Sequence, residues 1–430
     1  VAVVVSAGSG VVDALMEPGI VPDPASAAIA APHNANNTSS HPIFGEFPMP
    51  RNPSATSTPA TPPALRVRKT PVAAPTPAAR PKCLRIDLAL QGGGSHGAFT
   101  WGVLDRLLED ERLEIAGISG ASAGAMNAVA LAGGLMEGGR EGARTALRRF
   151  WSRVADASPF NRLDDGPLGA MFGPNNPWIQ AWIAPLQQFS QALGSQLSPY
   201  QLNPLNLNPL REILTDTVDF EAVRCCDRTQ LFIAATQVAT GKLRIFRQAE
   251  LTADMVLASA CLPLLFQAVE IDGEAYWDGG YAGNPALLPL IAETDADDLL
   301  LVQINPTRRD TLPTSAEDIL DRANEVTFNA SLLKELRTIA LIKEVLADAG
   351  QPDSAYRRPL FRRIDNLRLH RLDAEAELAP LGASSKTQTN RAFLEQLHAI
   401  GRQAADDWLA EHGRHIGQRG TFELPVTVNA

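Results

Sequence analysis

What this 430-residue sequence has little of narrows its class first. No uninterrupted apolar run approaches the roughly eighteen residues that suggest a membrane-spanning helix. The apolar stretch Val1–Val12 lacks a positively charged flank and is followed by Asp13 and Glu17, so it does not read as a secretory signal. Cysteine is sparse. Cys83, Cys225, Cys226 and Cys261 show no Cys-x-x-Cys spacing and fall far below the density of a disulfide framework, which points to a reducing compartment, with the cytoplasm as default. Positive charge is in deficit: 38 Lys and Arg against 48 Asp and Glu leave a net charge of −10, the wrong sign for a phosphate-neutralising nucleic-acid binder. Histidine is absent altogether between His96 and His370, and no internal repeat is visible.

What is present, 45% apolar and 20% charged residues, is ordinary for a folded protein with a substantial core. Residues 1–83 stand apart. From Pro22 to Pro81 they are Ala, Pro, Thr, Ser and Asn with little periodicity, a composition that cannot bury enough apolar area to offset chain entropy, and a disordered N-terminal arm is expected. Its end carries Arg66, Arg68, Lys69, Arg80, Lys82 and Arg85 with no acid between Glu46 and Asp87; a solvated linker is the preferred reading over a tether to an anionic surface.

Order is expected to begin at Leu84, where Leu84, Ile86, Leu88 and Leu90 alternate with strand period. A glycine loop follows, then a helix over Ala98–Glu109, an apolar strand Leu113–Ile118, a second glycine-bounded turn, and a helix of small residues Ala123–Leu131. Strand, helix, strand, helix is an α/β signature with parallel strands. Hairpins are expected at Leu231–Val238 with Leu243–Phe246, and at Phe266–Ile271 with Tyr276–Trp277. A buried strand Leu299–Ile304, an amphipathic helix through Leu332, Leu336, Ile339, Ile342 and Leu346, a last strand within Arg363–Leu372 and a final helix Phe393–Trp408 complete the pattern. Residues 159–209 mix Pro and Asn with Phe160, Met171, Phe172, Trp178, Trp182, Phe189 and Tyr200, which suits a cap forming an acyl-binding wall or an interfacial surface, and equally a loop excursion packed on the core.

Two glycine motifs carry chemistry. Gly120-Ala121-Ser122-Ala123-Gly124 lies between strand and helix, where a sharp turn projects a serine hydroxyl at a helix N-terminus. Gln91-Gly92-Gly93-Gly94-Ser95-His96-Gly97-Ala98 also follows a strand and opens a helix, and its successive amides can converge on one oxyanion. Gly92, Gly94 and Gly97 satisfy the dinucleotide fingerprint G-x-G-x-x-G as well, but that reading needs an acid at the end of the next strand, where Gly117-Ile118-Ser119-Gly120 stands.

A serine triad would need a later histidine. His370, His398, His412 and His415 fall in or near late elements and read as ordinary surface or half-buried residues. Trp277-Asp278-Gly279-Gly280-Tyr281 instead offers a carboxylate with apolar flanks, and burial would raise its proton affinity toward what a serine base requires.

A Gly-Gly-Gly-x-x-Gly loop, then Gly-x-Ser-x-Gly, then Asp-Gly-Gly, in that order, resembles the patatin-like phospholipases. The resemblance spans about Leu84 to Pro306 and takes in Ser259 to Pro263 and Asn284-Pro285. It implies a three-layer α/β/α sandwich with a mostly parallel central sheet, a catalytic domain over 84–310, and a C-terminal helical extension over 311–430 that completes or packs on it. It also implies hydrolysis of fatty-acyl esters by a Ser–Asp dyad without metal or cofactor. By position, Ser122 is the nucleophile, Asp278 the base, the Gly92, Gly93 and Gly94 amides the oxyanion hole, and His96, Gly97, Gly120, Gly124, Gly279 and Gly280 supporting residues. The expected partner is a lipid substrate, with peripheral contact at a membrane or lipid-granule surface open; the alternatives are an esterase on triacylglycerol or storage polyester, or a catalytically idle lipid-binding protein. Two positions depart from the family pattern: His96 stands where arginine is more frequent, and Gln91 where aspartate is.

Overall fold

The computed structural model describes residues 83–157, 198–348, 358–382 and 384–424. The N-terminal arm and most of the cap-like stretch expected from sequence lie outside them.

The chain enters as β1 (Leu84–Leu90), crosses through α1 (Gly97–Leu107) and returns as β2 (Leu113–Gly120), parallel to β1. Next come α2 (Ala123–Asp156), α3 (Pro209–Thr217) and the antiparallel pair β3 (Gln230–Gln237) and β4 (Leu243–Arg247). After α4 (Ala253–Ser259) a hairpin of β5 (Val269–Ile271) and β6 (Glu274–Asp278) leads to α5 (Leu288–Glu293) and β7 (Asp298–Val302). The C-terminal segment adds α6 (Ala316–Asp348), α7 (Pro359–Asn366), β8 (Arg368–Leu372) and α8 (Arg391–His412).

One sheet of order β5-β6-β3-β2-β1-β7-β8 results, with β4 paired to β3 off this path. Its centre, β3-β2-β1-β7-β8, is parallel. Apolar side chains leave both faces. Ile86, Leu88, Leu90, Leu300 and Val302 join a core with α1, α2 and α8, whereas Ala89, Leu299 and Leu301 join a second core with α5, α6 and α7. Period-two alternation with both sets apolar is what a strand covered by helices on each side requires, and it makes the fold an α/β/α sandwich.

Two expectations shift. The helix read as Ala123–Leu131 runs on to Asp156, interrupted at Gly138 and Gly139, whose dihedrals are not helical. The strand read within Arg363–Leu372 is shortened to β8, because Pro359 opens α7 and the helix consumes residues up to Asn366. β8 nevertheless extends the parallel sheet beside β7, so the C-terminal segment supplies a strand as well as helices.

Candidate active site

The site forms where two strands share one edge of a third. β4 runs along one edge of β3 over Phe232–Arg247 pairs to Thr236–Leu243, so β2 and β6 meet β3 on the other. There Gly120 of β2 pairs with Ile233, and Asp278 of β6 pairs with Ala235, two residues farther along. β2 stops at Gly120 and the chain turns through Ala121 and Ser122 into α2, which brings the serine to the end of β6.

Ser122 adopts φ 53 and ψ −122, left-handed values that cost a non-glycine residue about 1–3 kcal/mol unless its surroundings impose them. The surroundings do. Its N–H donates to Ser259 O at 3.2 Å and to Ser259 Oγ at 3.0 Å, at the end of α4. Two residues on, Cys261 O accepts the Asp278 N–H at 2.8 Å. One short segment thus fixes both residues, and this role accounts for Ser259 to Pro263 within the sequence resemblance.

Asp278 is completely buried. Its Oδ1 accepts the Gly280 N–H at 2.7 Å, and Thr236 Oγ1 donates to its carbonyl at 2.8 Å. Burial pushes the carboxyl up to about 7, opposed by the Gly280 N–H and by the neighbouring Ser122 side chain. The pairing of β2 and β6 with β3 brings the two residues to the same strand end, yet no hydrogen bond joins their side chains, and Asp278 Oδ2 is buried without a partner. A long, unmade contact of this kind is common in unliganded nucleophile–base pairs.

The glycine loop lies against the serine. A Cβ at Gly92 would sit 2.7 Å from Ser122 Cβ, and Gly94, at φ +60, has no room for one because Lys386 O is 2.4 Å from its place. Gly92 departs from the expected role: its N–H already donates to Asn284 Oδ1 at 2.7 Å, since Asn284 Nδ2 faces Phe328 O and turns the oxygen toward the loop. The N–H groups of Gly93 and Gly94 find no acceptor among the described residues. Gly120 and Gly124 pack against each other at the elbow, Gly97 against Ala123, Gly279 against Ala234, and Gly280 against Phe328.

Both departures from the family pattern are explained by neighbours. Gln91 Oε1 accepts from Ile304 N and Asn305 N at 2.9 and 2.8 Å while Nε2 donates to Asn329 Oδ1 at 2.8 Å; a carboxylate would accept the first two but could not make the third. His96 is buried, its proton affinity lowered to about 4 by burial and then by Lys386, so it is neutral. Ser385 Oγ gives its proton to Gly382 O at 2.9 Å, which leaves it to accept from His96 Nε2 at 2.7 Å. His96 holds the loop to the C-terminal segment and carries no charge.

Ser122 opens on a cavity of about 320 Å³ whose wall is mainly apolar, including Met126, Phe150, Trp151, Ile213, Leu262 and Phe266. Of the stretch expected to form a cap, only 198–209 is described: Asn208 and Pro209 line the cavity, and Tyr200 is exposed, its hydroxyl accepting from Ala268 N. None of the four late histidines lines the cavity. His370, fully buried rather than half-exposed, binds Asp298 and Thr421, and His398 stacks on Trp101 and faces Asp105. Asn305 and Lys386, which also brace the loop, carried no sequence signal, because they sit at a strand end and in a short irregular turn.

Residues 88–291 match the family model described as patatin-like phospholipase. No curated protein matches the chain. Among solved structures, VipD from Legionella pneumophila is 16% identical, with 76% of this chain and 67% of that chain covered and a TM-score of 0.33. Full-length ExoU, in complex with SpcU from the type III secretion system of Pseudomonas aeruginosa, is 14% identical, with 66% and 70% covered and a TM-score of 0.23. By that match, segment 88–291 is similar to the patatin-like phospholipases, which supports lipid hydrolysis as the activity class of this segment.

Proposed function

We propose that the protein cleaves fatty-acyl esters of lipids through Ser122 and Asp278. The observation that carries this reading is a serine held in strained dihedrals beside a fully buried carboxylate with one unpartnered oxygen, at the wall of an apolar cavity.

In this scheme Ser122 Oγ attacks the ester carbonyl carbon as its proton passes to Asp278 Oδ2. Negative charge develops on the carbonyl oxygen, toward the Gly93 and Gly94 N–H groups and the N-terminus of α2. The C–O bond breaks, and the leaving alcohol takes the proton from Asp278. Water then attacks the acyl-serine, again giving a proton to Asp278; the acyl C–Oγ bond breaks, Ser122 Oγ takes the proton back from Asp278, and the free acid leaves. A solvated aspartate would be a poor base for a serine; a carboxyl raised to about 7 narrows the mismatch.

The cavity takes the acyl chain, and the substrate arrives from a lipid surface. Supporting this, Leu205, Leu264 and Leu265 are 79%, 82% and 51% exposed beside cavity residues Pro209, Leu262 and Phe266, and the two segments that carry them are joined by Gln267 Nε2 to Asn203 O at 2.7 Å. No helix among the described residues is long and apolar enough to cross a membrane.

A fluorophosphonate probe with a lipid-panel assay tests the proposal. Wild type labels and hydrolyses at least one acyl ester, and Ser122→Ala does neither. Labelling that persists in Ser122→Ala, or no turnover on any acyl ester, would refute it.

A further inference from the structure

The position where the family more often places an arginine, immediately beyond the glycine loop, holds a neutral histidine here. A cation reaches the same loop from elsewhere in the chain. Lys386 belongs to the short turn Ser384–Thr387, far beyond the segment that matches the family. Its backbone carbonyl presses on Gly94, and it is the one charged residue among the described residues lining the cavity with Ser122. Its Nζ donates to Asn305 Oδ1 at 2.7 Å, and Asn305 Nδ2 donates to Gly92 O at 2.8 Å. The same Asn305 Oδ1 lies 3.6 Å from where a Gly93 Cβ would stand, so the ammonium sits just behind the loop.

The charge is not consumed there. Glu325, the nearest strong counter-charge on α6, is already held by Arg309 and Arg322, and no carboxylate among the described residues forms an ion pair with Lys386. Burial lowers the proton affinity of Lys386, while the charges of Glu325 and Asp321 favour its ammonium form and that of Arg309 opposes it; His96 beside it is neutral. An ammonium in a dry wall, hydrogen-bonded to a neutral amide and one side chain away from the loop, projects its field onto whatever charge develops in front of that loop.

We propose that Lys386 is a positioning residue for the proposed ester hydrolysis: through Asn305 it fixes Gly92–Gly94, and its charge favours the oxyanion formed when Ser122 attacks. The inference rests on that functional reading. Because the oxyanion arises from any ester, Lys386 acts on turnover and is indifferent to the lipid head group.

The test compares Lys386→Met, which keeps most of the stem and removes the charge, with Lys386→Arg, on a short-chain neutral ester and on a phospholipid. For Lys386→Met, kcat falls roughly tenfold to a hundredfold on both substrates by the same factor, with KM changed less than about threefold. Fluorophosphonate labelling slows in parallel, and Lys386→Arg recovers most of the loss. An unchanged kcat, a defect confined to KM on the phospholipid, or an arginine variant as impaired as the methionine one would overturn the role while leaving Ser122 and Asp278 in place. A wild-type protein inert toward all esters and the probe overturns the site reading itself, and this role with it.

Discussion

Ser122 and Asp278, far apart in sequence, hang from the same short segment: Ser259 accepts the N–H of one and Cys261 that of the other. In the proposed dyad, spacing set by main-chain hydrogen bonds to a common support does not depend on a third side chain. This is the geometric counterpart of the missing histidine.

That support can be weakened by one atom. Ser259→Ala removes the 3.0 Å contact from Ser259 Oγ and leaves the longer one to its carbonyl. We expect a stability loss of about 1 kcal/mol and a fall in kcat of about tenfold with KM little changed, read by chemical denaturation and ester kinetics. A kcat equal to wild type would show that the elbow needs no such anchor.

Asp278→Asn keeps the shape of the side chain and removes the proposed base. Turnover should fall by at least about a thousandfold. His398→Ala should keep near-wild-type turnover. His370→Ala should also turn over, but at a stability cost of about 1–3 kcal/mol, because it takes a buried partner from Asp298. A folded histidine variant without activity would replace the dyad with a triad.

The same carboxyl links activity to stability through pH. Burial holds its proton affinity at about 7, against 3.8 for an ordinary aspartate, so between these values the unfolded chain has lost a proton that the folded protein keeps. Its contribution to stability therefore declines as pH rises from 3.8 to about 7 and stays low above. Asp278→Asn, with no proton to lose, should be more stable than wild type at pH 8 by roughly 1–4 kcal/mol, an advantage that shrinks on acidification. Asp87, raised likewise to about 7, contributes equally to both proteins and cancels in the difference. Over the same range wild-type kcat/KM should climb with a single ionisation near 7. Urea midpoints at two pH values and a pH–rate profile check both halves.

The exposed leucines give a separable prediction. Leu205→Ser with Leu264→Ser should weaken binding to zwitterionic vesicles several-fold and leave turnover of a soluble short-chain ester within about twofold. Equal loss on both substrates would place these side chains in catalysis rather than at a lipid surface.

Much of the candidate site's local geometry was legible because its motifs are local. Three glycines after a strand, and a serine between glycines before a helix, are backbone requirements that a few adjacent residues satisfy or fail to satisfy. Element positions followed for the same reason: β1 alternates apolar side chains with strand period, β2 and β7 are short apolar runs, and α8 repeats apolar residues with helical period. The shortened last strand shows the limit, since Arg363–Leu372 reads equally well as extended until α7 claims its first residues.

The sequence by itself determined the chain's α/β order and both glycine turns, since backbone dihedrals and side-chain period are properties of neighbouring residues. Tertiary structure alone decided which amides remain for an oxyanion, with Gly92 given to Asn284, and which cation stands behind the loop, with Lys386 arriving from the C-terminal segment. Those outcomes depend on hydrogen-bond competition and burial between segments hundreds of residues apart, and such contacts leave no periodic trace in the chain that makes them.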